Sequence, residues 1–119
     1  MPSVAIIGAS NVHAKYGNKA VRAYLRQGWQ VYPVNPNETE VEGLKAYSTV
    51  TDIPGDVDRA SLYVPASVGV TLLDDIKRKG VRELYVNPGA ESDELLEKAE
   101  QLGLDAVQAC SIVDIGERP

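Results

Sequence analysis

The residues best suited to chemistry lie just after a short apolar run, where Gly8-Ala9-Ser10-Asn11 leads through His13 and Lys15 to Gly17-Asn18. Glycine lets backbone approach a diphosphate closely, and the free N–H groups at the start of a following helix favour negative charge. Ser10 and Asn11 add side-chain donors, and His13 and Lys15 are candidates to meet phosphate as point charges. The loop is longer than G-x-G-x-x-G, and that strict spacing is absent. The plainer reading is a tight turn at Gly8 followed by a solvated loop.

Other reactive side chains point less clearly to a site. A nucleophilic thiol needs a base or cation within reach. The neighbours of Cys110, the single cysteine, supply neither, so it reads as a small buried hydrophobe at the end of the last strand. Asp74-Asp75 and Glu97/Glu100 fall on helix patterns that face water. No His/Cys cluster has metal-ligand spacing, so no metal is expected.

The first strand, Val4 to Gly8, is short and β-branched, as a strand buried on both faces requires. Asn18 is a candidate cap for a helix that buries Val21, Tyr24 and Leu25, exposes Lys19, Arg22 and Arg26, and stops at Gly28. A second strand over 30–34 closes in Asn35-Pro36-Asn37. Residues 41–47 suggest a turn and a very short third strand, and 51–54 one helical turn. A fourth strand covers 59–64 and is broken by Pro65, before a helix over 67–79 that ends at Gly80. Glu83 to Val86 form the fifth strand, and Asn87-Pro88-Gly89-Ala90 the turn after it. Ser92 caps a helix with Leu95, Leu96, Ala99 and Leu102 inward and Gly103 as its stop. A sixth strand near Ala106-Val107 leads to Cys110.

This alternation predicts an α/β fold of Rossmann type: a doubly wound, mostly parallel sheet between two helical layers, with strand order 3-2-1-4-5-6. Ligands of such sheets bind beyond the carboxyl ends of the strands. Gly8-Ala9-Ser10, Asn35-Pro36, Pro65-Ala66-Ser67 and Asn87 to Ala90 should therefore converge on one rim. NAD-binding sheets place Asp or Glu after the second strand to hold the ribose. Asn35 stands there, which argues against NAD.

At 119 residues the chain has the length of one domain, spanning 1–119. Its net charge of −5, from 12 basic and 17 acidic residues, argues against nucleic acid as a partner. A lone cysteine excludes an internal disulfide, and no apolar run is long enough to span a membrane. With no signal-peptide pattern either, a soluble cytoplasmic protein is the expectation.

On these rim residues the sequence resembles the CoA-binding domain family, which includes small stand-alone bacterial proteins and the N-terminal domain of the succinyl-CoA synthetase α subunit. The carriers are Val4 to Ser10, Gly28-Trp29-Gln30-Val31-Tyr32-Pro33-Val34-Asn35-Pro36, Tyr63-Val64-Pro65, and Leu104 to Val107 with Cys110. The resemblance implies coenzyme A or an acyl-CoA as ligand. Gly8, Ala9 and Ser10 would shape the pyrophosphate loop, with Asn11, Lys15, Gly17 and Asn18 beside it. Asn35 and Pro36 would border adenosine. Val64 and Pro65 would line the adenine or pantetheine path, and Asn87, Pro88, Gly89 and Ala90 the far side. In the synthetase relatives a lysine follows the second strand's proline, and here that place is Asn37. The phosphorylated histidine of their second domain has no counterpart.

The reading that follows is a binding module without catalysis of its own. Two others stay open: an NAD(P)-responsive sensor, and an enzyme subunit performing acyl or disulfide exchange through Cys110. Acyl group, protein partner and oligomeric state have no signal in the sequence.

Overall fold

The computed structural model describes residues 1–119. In chain order its strands are β1 (Ser3–Ile7), β2 (Gln30–Val34), β3 (Glu40–Val41), β4 (Leu44–Lys45), β5 (Arg59–Leu62), β6 (Glu83–Val86) and β7 (Asp105–Gln108). Its helices are α1 (Tyr16–Arg26), α2 (Ala66–Lys79), α3 (Asp93–Gln101) and the short α4 (Ser111–Asp114), with a 3₁₀ turn at Val50–Asp52. Five strands pair in parallel in the order β2-β1-β5-β6-β7. This is the Rossmann-like α/β sheet expected from the sequence.

The third position of the expected order is nearly empty. Tyr47 alone pairs beside β2, donating to the Pro33 carbonyl and accepting from Asn35 N–H, each at 2.9 Å. Residues 40–45 turn back instead as the hairpin β3-β4. Glu42 (φ 51°) and Gly43 (φ 77°) give it the two positive-φ residues that a two-residue hairpin turn needs. With so little beyond it, β2 is close to an edge strand, which is where Pro33 is tolerated.

Alternation along the strands sorts the core onto two faces. Ala5, Ile7, Ala60, Leu62, Leu84 and Val86 pack with Leu73 and Ile76 of α2 and Leu95 and Ala99 of α3. On the other face Val4, Ile6 and Val31 meet Ala20, Val21, Ala23 and Tyr24 of α1 and Ile112 of α4. All four helices end in the same closure, in which a residue past the last turn donates back to a carbonyl five earlier. The pairs are Trp29 to Tyr24, Val81 to Ile76, Leu104 to Ala99 and Glu117 to Ile112, at 2.9–3.3 Å.

Several local expectations are corrected. Helix α1 begins at Tyr16, before Asn18, which is fully buried in its first turn rather than capping it. Leu25 is 39% exposed, because Ala20 and Ala23 fill the inner face in its place. Strand β5 ends at Leu62, so Tyr63 and Val64 belong to the loop before α2. Cys110 is half-buried and opens α4, a helix too short to show periodicity.

Under α4 the sheet is polar. Arg59, 8% exposed, lies between the rings of Trp29 (4.9 Å) and Tyr85 (4.2 Å). It donates to Glu83 (3.1 Å), Asp114 (2.9 Å) and the Tyr24 hydroxyl (3.3 Å). Burial disfavours its charge, but these hydrogen bonds outweigh that effect and hold its pKa above the ordinary arginine value.

Candidate functional site

The carboxyl ends of β1, β2, β5 and β6 open onto a cleft of ≈ 780 Å³. Its floor is the first loop. Gly8 turns at φ +95°, and a Cβ there would stand 2.5 Å from the Tyr63 carbonyl oxygen. Gly17 packs so tightly on the Gly8 carbonyl that a Cβ would collide with it. Two glycines therefore fold the loop back onto the start of α1. The backbone N–H groups of Ser10, Tyr16 and Gly17, all cleft residues, donate no hydrogen bond within the chain. Amides left free at a helix start are suited to an anion.

A second recess of ≈ 450 Å³ adjoins the first and shares Gly8, Asn35 and Val64 with it. Pro36, Asn37, Thr49, Val50 and Leu72 complete much of its wall. The tip of β1 is thus a ridge with a hollow on either side.

The cleft's other wall rests on a buried polar network. Asn87, 3% exposed, donates to Ser61 Oγ and to the Leu62 carbonyl, both at 2.8 Å. Its Oδ1 accepts from Ser111 N–H at 2.9 Å, which fastens the start of α4 to β5 and β6. The hydroxyls of Ser61 and Ser111 are 2.7 Å apart, and that of Tyr63 is 3.1 Å from Ser111 Oγ. Burial pushes the Tyr63 phenol up to about 12, although its serine partners pull the other way. Tyr63 is therefore neutral at physiological pH. No buried side-chain nitrogen or oxygen in the chain lacks a partner.

Residues 2–116 match the family model described as "CoA binding domain". The chain belongs to the CoA binding domain family. It is similar to the α subunit of acetate–CoA ligase (ADP-forming) II of Pyrococcus furiosus, 42% identical over 84 residues, or 70% of this chain and 18% of that subunit. Among solved structures it is similar to a conserved hypothetical protein of Pyrococcus furiosus (TM-score 0.88, 38% identity), with 96% of this chain and 99% of that one covered. A second is an acetyl-coenzyme A synthetase of Ca. Korarchaeum cryptofilum in complex with phosphate and ADP (TM-score 0.80, 32% identity), where 90% of this chain covers 25% of the enzyme. The chain spans less than a fifth of the length of the curated ligases it matches.

In this CoA binding domain most residues singled out from sequence line the main cleft: Gly8, Ser10, Lys15, Gly17, Asn35, Val64, Pro65, Asn87, Pro88, Gly89 and Ala90. Pro36 lines the second recess. Three lie outside both walls. Ala9 is fully buried in the core beside α1. Asn11 points away, donating to Glu38 (2.6 Å) and to the Glu40 carbonyl (2.8 Å). Asn18 donates to the Ser10 carbonyl (2.8 Å) and Glu42 (3.2 Å) and so ties the loop to the hairpin. His13 also stands apart from the cleft. Sequence reading missed Tyr16, Leu62, Tyr63, Val113 and Pro119 as cleft residues, and placed Cys110 in the core rather than in the cleft wall. Tyr16, next to Lys15 and Gly17, and Tyr63, next to Val64 and Pro65, stood close enough to these motifs to be found.

Proposed function

We propose that this domain binds coenzyme A or an acyl-CoA across the rim of the sheet, without catalysis of its own. The observation that carries the reading is the glycine-folded loop, in which Ser10, Tyr16 and Gly17 keep unpaired amides and line a cleft of ligand size. The diphosphate would lie against Ser10, Tyr16 and Gly17, with Lys15 as a nearby cation. Strand β2 ends where Rossmann-type sheets meet the adenosine ribose, so the nucleoside would enter the recess bordered by Asn35 and Pro36. The pantetheine arm would follow Val64, Pro65 and the turn Asn87 to Ala90. Affinity would come from amide–phosphate hydrogen bonds together with apolar burial. Similarity to acetate–CoA ligases supports this choice of ligand.

Calorimetric titration with CoA tests the reading, and saturable heat is expected. A folded protein that gives no heat with CoA would overturn it. Gly17→Ala should abolish binding, because its methyl group displaces the Gly8 carbonyl and opens the loop. One observation favours a second reading, the place of Cys110 in the cleft wall. If the chain exchanges acyl or disulfide groups with CoA, Cys110→Ser will lose turnover while CoA still binds.

A further inference from the structure

The cations of this acidic chain are unevenly spread. Its first 37 residues contain Lys15, Lys19, Arg22 and Arg26 and no carboxylate. Three of these stand on the outer face of α1, where the loop before the helix and the C-terminal tail meet them. His13, Lys19, Arg22, Arg26 and Arg118, with Ala14 and Pro119, wall a recess of ≈ 310 Å³, and Pro119 also lines the main cleft. Glu117 is the one carboxylate that binds a wall side chain, and it is shared by Arg26 (2.8 Å) and Gln27 (2.6 Å). Arg22 is oriented by two uncharged acceptors, Asn18 Oδ1 (2.8 Å) and the His13 carbonyl (2.9 Å). Its position is fixed while its charge is left unneutralised. Lys19 and Arg118 form no ion pair.

A solvated basic helix face would hold its charges apart. Here Lys19, Arg22 and Arg26 follow at i, i+3 and i+7, where like charges repel, and the tail adds another across the gap. An anion in the recess would turn that repulsion into attraction. Guanidinium forks match tetrahedral phosphate better than a point charge does. The wall offers almost no apolar anchor of the kind a docked peptide uses.

We propose that this recess, which touches the main cleft only at Pro119, is a second anion site, taking the phosphate dianion of a small ligand. The proposal does not depend on CoA binding. Its test is an NMR titration with inorganic phosphate at constant ionic strength, against a chloride control, with and without saturating CoA. Saturable shifts at Lys19, Arg22 and Arg118 are expected, unchanged by CoA. The Lys19→Gln/Arg118→Gln double variant removes side chains that make no hydrogen bond and so should fold normally. It should weaken phosphate binding about tenfold, the equivalent of about 1.4 kcal/mol. Shifts that never saturate or that chloride reproduces would overturn the proposal. So would shifts centred on Ser10 to Gly17 that CoA abolishes, or a double variant that binds phosphate as well as the parent chain.

Discussion

Tyr63 has two roles that separate with pH. Its hydroxyl meets Ser111, and burial pushes its phenol up from the ordinary tyrosine value near 10 to about 12. Between those values the folded chain keeps the proton while the unfolded chain has lost it. Stability must therefore fall as pH rises through that window, by up to about 2–3 kcal/mol from this group. Chemical denaturation at pH 9 and near pH 12 should show a smaller alkaline loss for Tyr63→Phe than for the parent. Equal losses would mean the phenol is not held in this way. Gly17→Ala is expected to cost about 1–3 kcal/mol, as overpacked sites do, measured by the same denaturation. The glycines, Asn35 and the Asn87 turn were legible in the sequence because each ends a strand, and strand ends share a rim. Val113 and Pro119 were not. Val113 reaches the cleft on the short α4 and Pro119 through the C-terminal tail, placements that no local pattern records.

Among the elements, α4 depends most on one side chain. Asn87 joins β5, β6 and the first amide of α4, and all its partners are buried. Asn87→Ala would leave Ser111 N–H and the Leu62 carbonyl short of a partner, at a cost of about 2–3 kcal/mol. Hydrogen exchange at Ser111 should quicken more than at Leu84 in the core. Uniform change across the sheet would show that α4 is not held through this link. The longer elements followed from their periodicity and glycine stops, and Ser92 accepts from Leu95 N–H at 3.1 Å as the sequence implied. The start of α1 did not follow. Asn18 has the type of a cap, but its side chain turns to Ser10 and Glu42, partners that only the folded chain brings near. The hairpin at 40–45 also escaped, since its strands are too short to alternate.

Across the molecule, the sheet face beneath α4 is closed by the cation Arg59 beside the apolar cluster that holds Ile112. Glu83 and Asp114 stay partly hydrated, so Arg59→Ala should cost about 2–3 kcal/mol, mostly lost stacking on Trp29 and Tyr85. Thermal unfolding in low and high salt checks this, and a loss that vanished in high salt would point to charge pairing instead. The ridge at the tip of β1 has a consequence for any ligand that straddles it. The two hollows share Gly8, Asn35 and Val64, so a ligand that fills both must cross these residues. Once one end of such a ligand is seated, the contact of its other end is intramolecular. The linker between them would then govern recognition as strongly as either end.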